Sequence, residues 1–197
     1  MKEVVHTVSG HKAPVSGACW IPDSSSFDQM HLIASASYDT TARITSIAEA
    51  SPIPLASLHL HSAAVSSITA NSSGTHLLTA GWDKLVGLWT TDTPPEDEVP
   101  APVFSTLEPQ RKRRKMANSE MLNGADDSAK RKAPVSVLKS HTGRVSRALF
   151  SPSDNKEAYS VGWDCTLRSW DLEIGVCTST AVGENSLYAF NILKLAL

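Results

Sequence analysis

The sequence predicts an all-β fold: a partial β-propeller of about three four-stranded blades, with one long disordered loop. Three observations predict it. Short runs of alternating apolar and polar residues are separated by turn residues. Three segments superimpose on one another along the chain. Each segment on its own has too little apolar surface to form a core, so neighbouring units must share one by radial stacking.

The repeat is read from fixed offsets. Each unit opens on a His with a Val four residues later: His11 and Val15, His61 and Val65, His141 and Val145. Apolar residues of a first strand follow, such as Ala18 and Trp20, Ile68 and Ala70, Ala148 and Phe150. Each unit then reaches an Asp in a tight turn: "SASYDTTARI" at Asp39, "TAGWDKLVGLW" at Asp83 and "SVGWDCTLRSW" at Asp164. The His-to-Asp separations are 28, 22 and 23 residues. The surplus in the first unit falls in the loop-like "PDSSSFDQMH". The resulting division is a leading strand over 1–9, a first unit over 10–61, and the first three strands of a second over 61–91. An insertion over 92–133 follows, then the closing strand of the second unit with the third unit over 134–181. A tail over 182–197 lacks the pattern.

The offsets predict a polar network inside each blade. A carboxylate in a turn needs donors, and a His, a hydroxyl and an indole N–H form a chain that supplies them. The second unit offers His61, Thr79, Asp83 and Trp89, and the third His141, Ser160, Asp164 and Trp170. The first offers His11, Ser35 and Asp39, with Thr45 where the others have Trp, so its network is expected to be shorter. His, Ser and Asp in one unit also suggest a hydrolase triad. Recurrence at the same offsets argues for scaffolding, and there is no GxSxG, P-loop or HExxH. His59 and His61, two residues apart on a strand, are a weak metal pair without a third ligand, so no metal or cofactor is expected. Cys19, Cys165 and Cys177 form neither a CxxC pair nor a disulfide framework. No apolar run is long enough to span a bilayer, so no membrane partner is expected.

The net charge of −2 hides an uneven distribution. Segment 111–132 holds Arg111, Lys112, Arg113, Arg114, Lys115, Lys130, Arg131 and Lys132 against Glu120, Asp126 and Asp127. The remainder is correspondingly acidic. With few apolar residues, the whole insertion is expected to be disordered at the propeller rim. Its two basic clusters fit the acidic grooves of an import receptor, and so a nuclear address. A solvated linker is the alternative; a sequence-independent contact to nucleic-acid phosphates is a further option that does not exclude the address, and the aromatics of single-strand readers are absent from it.

"GH" at Gly10–His11, "GWD" at Gly81–Asp83 and Gly162–Asp164, and "WD" at Trp170–Asp171 resemble the WD40 repeat family. Longer stretches extend the likeness: "GHKAPVSGACWIP", "LASLHLHSAAVSSITANSSGTHLLTAGWDKLVGLW" and "KRKAPVSVLKSHTGRVSRALFSP". Over residues 1–181 the chain resembles the fungal WD-repeat ribosome-biogenesis family of the Nop7 complex, whose animal counterpart belongs to the PeBoW complex. That resemblance implies a seven-bladed propeller and a non-enzymatic role in maturation of large-subunit rRNAs and 60S assembly. It implies a pescadillo-type protein and a block-of-proliferation-type propeller protein as partners, a pre-60S particle as setting, and nucleolus and nucleoplasm as location. The family contacts a midasin-type ATPase through an N-terminal ubiquitin-like domain. This sequence opens at the first unit, so that contact is not assigned to it, and the chain is expected to be a truncated form that also lacks later blades. A generic WD40 adaptor, either a signalling scaffold or a ubiquitin-ligase substrate receptor, is the second reading.

Overall fold

The computed structural model describes residues 7–22, 31–47, 51–98 and 129–183. Every regular element among them is a strand. The first blade contains β1 (Val15–Ile21), β2 (Leu32–Ser37), β3 (Ala42–Ser46) and β4 (Ile53–Leu58), paired antiparallel in chain order. The second contains β5 (Val65–Ala70), β6 (His76–Gly81) and β7 (Leu85–Thr90). Between β7 and the second blade's last strand, β9 (Ser136–Lys139), comes β8 (Lys130–Lys132). The third blade contains β10 (Val145–Phe150), β11 (Glu157–Gly162), β12 (Thr166–Asp171) and β13 (Val176–Val182). The all-β partial propeller expected from the repeats is therefore the observed architecture.

Cores lie between blades, which explains the sequence of the middle strands. Successive side chains of a strand point to opposite faces. On β6, Leu77 enters the apolar cluster between the first two blades, with Ile44, Leu58, Val65 and Trp89. Its neighbour Leu78 enters the cluster between the second and third, with Val86, Leu138, Val145 and Trp170. A strand buried on both faces needs a nearly continuous apolar run, and "HLLTAG" and "LVGLW" supply it. A smaller group, Leu149 and Val161 with Leu167, covers the far side of the third blade.

The inner strands are tied to each other by a repeated device. Each begins with a register shift: Val15/Gly17, Val65/Ser67 and Val145/Arg147. The residue in the bulge is Ser16, Ser66 or Ser146. Ser16 Oγ donates to the Val65 carbonyl at 2.5 Å and Ser66 Oγ to the Val145 carbonyl at 2.6 Å. Thr69 Oγ1 adds a bond to the Ala148 carbonyl at 3.1 Å. Each hydroxyl thus links the inner strand of one blade to a backbone acceptor on the inner strand of the next.

The insertion differs from its expected form. Residues 99–128, including Arg111–Lys115, lie outside the described residues. Lys130–Lys132, expected in a flexible loop, forms β8, a fifth strand on the first blade, parallel to β4. The pairs are Ala56 with Lys130, Ser57 with Arg131 and Leu58 with Lys132. The cause is the open outer edge of β4, whose unpaired N–H and C=O groups accept any backbone that runs past them. The acidic limb completes the arrangement. The Glu98 N–H donates to the Arg131 carbonyl at 2.8 Å, the Arg131 N–H to Asp97 Oδ1 at 2.8 Å, and the Ala133 N–H to Glu98 Oε2 at 2.8 Å. Lys132 is buried, with its ammonium on the Asp92 carbonyl, and Lys130 reaches the Pro95 carbonyl. Burial lowers the Lys132 pKa, and the nearby Glu98 and Asp92 oppose that shift. The remaining expected segments, the strand over 1–9 and the tail over 182–197, fall largely outside the described residues.

Candidate functional site: the His–Asp networks and the turn face

Each network is assembled at one end of its blade. The His lies just before the inner strand, the hydroxyl on the second strand, the Asp in the turn to the third, and the Trp near the third strand's end. In the second blade, His61 Nδ1 lies 2.9 Å from Asp83 Oδ1 and His61 Nε2 lies 2.8 Å from Thr79 Oγ1. Trp89 Nε1 donates to the same Thr79 hydroxyl at 2.9 Å. In the third blade the distances are 2.9 Å from His141 Nδ1 to Asp164 Oδ2, 2.7 Å from His141 Nε2 to Ser160 Oγ and 2.8 Å from Trp170 Nε1 to Ser160 Oγ. The first blade has His11 at 2.9 Å from both Asp39 Oδ2 and Ser35 Oγ, and no indole joins them. Thr45, in the place of Trp, is buried.

Proton directions follow from counting donors. A carboxylate only accepts, so Nδ1 carries the proton that points at Asp. The Nε2 of a neutral ring then accepts, so the Thr or Ser hydroxyl donates to it and itself accepts from the indole. Indole, hydroxyl, imidazole and carboxylate form one polarised chain in which every buried group has a partner. The hydrolase reading meets this enclosure at Ser160. Ser160 is fully buried, donates to His141 and receives Trp170, so its oxygen has no approach for a substrate.

Asp also closes its own turn. Asp39 Oδ1 accepts the Thr41 N–H at 3.0 Å, Asp83 Oδ1 the Leu85 N–H at 3.2 Å, and Asp164 Oδ1 the Thr166 N–H at 3.2 Å. The residue between adopts a left-handed backbone: Thr40 at φ 72°, Lys84 at 73° and Cys165 at 59°. Such values are uncommon outside Gly and Asn. The side-chain bond across the turn holds the conformation. The glycine of each "GWD" has a separate cause. A Cβ at Gly81 would lie 2.3 Å from His61 Nδ1, and one at Gly162 2.7 Å from His141 Nδ1. Three further donors were not singled out from sequence. The backbone N–H after each His reaches the carboxylate: Lys12 at 2.8 Å, Ser62 at 3.0 Å and Thr142 at 2.9 Å. The hydroxyls of Thr41 and Thr166 also donate, both at 2.7 Å, and the signal for them was the Thr two residues after Asp in two of the three units.

These contacts set the ionisation. Burial alone would raise the Asp164 carboxyl, but the Thr166 hydroxyl, the His141 ring and the Thr142 N–H outweigh it and hold the group well below the usual range. Asp39 is likewise held down against its burial by Thr41, Lys12 and His11, and Asp83 by His61, Ser62 and Leu85. Burial lowers the His141 pKa from its ordinary 6.5, with Asp164 opposing, so the ring is neutral at physiological pH. Unfolding therefore takes up protons on the acid side. Stability is expected to be complete above pH 6.5 and to fall as His141 becomes protonated in the unfolded chain. It should fall again below 3.8, the ordinary carboxylate value, as the three Asp carboxylates lose their advantage. Thermal unfolding across this range checks it: the melting temperature should drop in two steps on acidification, and Asp164→Asn should flatten the lower one.

His59 Nε2 lies 2.9 Å from Ser57 Oγ, and both nitrogens of His61 are engaged, so the two rings converge on no common ligand position. Among the described residues no group of three metal-binding side chains occurs. No described helix is long and apolar enough to cross a membrane.

Comparison with known proteins also divides the chain into three units. The family described as WD domain, G-beta repeat matches residues 2–46, 52–90 and 132–171. The chain belongs to the WD40 repeat family. The three WD40 matches contain all three networks. Among curated relatives, "Ribosome biogenesis protein YTM1" of Laccaria bicolor is 45% identical over 188 residues, covering 91% of this chain and 40% of the relative. The protein of the same name from Coprinopsis cinerea is 44% identical over 186 residues, covering 91% and 40%. The one from Emericella nidulans is 32% identical over 198 residues, covering 95% and 37%. This WD40 chain thus spans about 40% of the length of the relatives it matches.

Proposed function

We propose that this WD40 chain belongs to a non-enzymatic scaffold of ribosome biogenesis. In this reading it acts in maturation of large-subunit rRNAs and in 60S assembly, within a three-protein complex. The pescadillo-type protein and the block-of-proliferation-type propeller protein are its partners, on a pre-60S particle. The observation that carries the reading is 45% identity across 91% of the chain to a protein named for ribosome biogenesis. The networks support the non-enzymatic part, because their polar atoms are spent on one another inside the blades. Nucleolus and nucleoplasm are the proposed location, with an import receptor binding Arg111–Lys115. Lys130–Lys132 is proposed to serve the fold instead, since its backbone is paired with β4 and Lys132 is buried. Any rRNA phosphate contact of the insertion is accordingly assigned to its first cluster. Affinity purification of the intact protein tests the partnership. Both protein partners and large-subunit precursor rRNA should be recovered with it; recovery of none of them would refute the assignment and leave a generic WD40 adaptor.

A further inference from the structure

Just after β7 the chain reads "TDTPPEDE" over residues 91–98. Its two threonines are used differently. Thr91 is half-buried, and its hydroxyl donates to the Gly74 carbonyl at 2.7 Å. Thr93 is exposed and lies outside any strand, and its hydroxyl has no hydrogen-bond partner among the described residues.

Two ammonium groups bracket this free hydroxyl. Lys132 Nζ donates to the Asp92 carbonyl, whose carbon is bonded to the Thr93 nitrogen. Lys130 Nζ donates to the Pro95 carbonyl, two residues beyond Thr93. Both cations therefore rest on neutral backbone oxygens. Among the described residues neither lies within ion-pair distance of a carboxylate. Asp97 and Glu98 are turned instead onto the N–H groups of Arg131 and Ala133. An ammonium bonds about twice as strongly to an anionic oxygen as to a neutral one. Thr93 stands between the two gripped carbonyls, so an anion on its side chain is within reach of both cations.

We propose that Thr93 is a phosphorylation site, and that its phosphate takes up the Lys130 and Lys132 ammonium groups and clamps β8 onto the edge of β4. The Thr93 Oγ attacks the γ-phosphorus of ATP. The new Oγ–P bond forms as the bond from that phosphorus to the β–γ bridging oxygen breaks; ADP leaves, and the hydroxyl proton passes to the kinase's base. Pro94 follows the acceptor, so the enzyme is a kinase that accepts Pro at that position. Ser51 and Ser151 also precede Pro. Ser151 is buried, and no lysine ammonium is bonded beside Ser51 among the described residues.

The phosphate brings about two negative charges at neutral pH. Repulsion from Asp92, Glu96, Asp97 and Glu98 opposes it, but those residues are exposed and screened by salt. The two ammonium groups are at bonding range, and Lys132 is buried, so attraction wins. The clamp fastens both described ends of the insertion, residues 92–98 and 130–132, to the first blade and keeps the β4 edge closed.

The test uses the full-length protein, a proline-directed kinase and Mg-ATP, with phosphate located by mass spectrometry and β8 followed by amide hydrogen exchange. The parent should take up phosphate at Thr93, and Thr93→Val should lose that share. In the phosphorylated protein the amides of residues 130–133 should exchange at least about fivefold more slowly. Lys130→Ala keeps the backbone pairing, so it should take up phosphate as the parent does and lose a large part of that protection. Absence of phosphate at Thr93 would overturn the proposal. Exchange in β8 that is unchanged or faster after phosphorylation would overturn it too, as would full protection in Lys130→Ala. None of these readouts needs a ribosomal partner, so failure here leaves the proposed ribosomal role standing.

Discussion

Trp89→Ala is expected to destabilise the protein by about 3–5 kcal/mol, a large part of the stability of an ordinary domain. Trp89 has no exposed surface and fills the space between the first and second blades, with Leu58, Val65 and Leu77. Removing the indole empties that space, and the neighbours are strands already fixed by their ladders, so they cannot collapse into it. The lost N–H also removes one of the two bonds to the buried Thr79 hydroxyl. Trp89→Phe separates the two causes. It keeps most of the packing, loses only the donor, and should cost about 1–2 kcal/mol. Urea unfolding of parent and both variants gives the order, and equal midpoints for parent and Trp89→Ala would remove the indole from the core.

Asp83→Ala is the second large effect, at about 1–3 kcal/mol. One carboxylate serves three donors: the His61 ring, the Ser62 N–H and the Leu85 N–H. Truncation leaves the buried His61 proton without an acceptor and frees the turn at Lys84, whose φ of 73° is held by the bond from Leu85. Asp83→Asn should cost less, because its amide oxygen still accepts. Denaturation at neutral pH checks the ranking. A variant Asp83→Ala as stable as the parent would mean that His61 and the turn are held by something else. Because the network runs on to Thr79 and Trp89, Asp83→Ala and Trp89→Ala should be non-additive when combined.

The parts of the fold that were readable share a physical cause. Every blade needs its own buried carboxylate satisfied, so His, hydroxyl, Asp and Trp recur at fixed offsets, and the lapse at Thr45 was visible as well. What was not readable depended on partners far away in the chain. Lys130, Arg131 and Lys132 have the composition of a solvated loop, and nothing in their side chains signals a strand. Their pairing with β4 is made by backbone, and the acidic residues that close over them lie some thirty to forty positions earlier. Buried aliphatic stems and a satisfied ammonium make such a strand tolerable. The aromatic contacts of the turn face were hidden for a similar reason. Tyr38, Trp82 and Trp163 are visible one by one, but only blade stacking places Arg144 between two of them.

We propose that this chain is part of a scaffold on which the large ribosomal subunit matures. Conditional depletion of the intact protein, followed by pulse-labelling of rRNA, tests it most directly. Precursors of the large-subunit rRNAs should accumulate, while small-subunit rRNA matures normally, and re-expression should restore the pattern. Unchanged processing of the large-subunit precursors in fully depleted cells would contradict it.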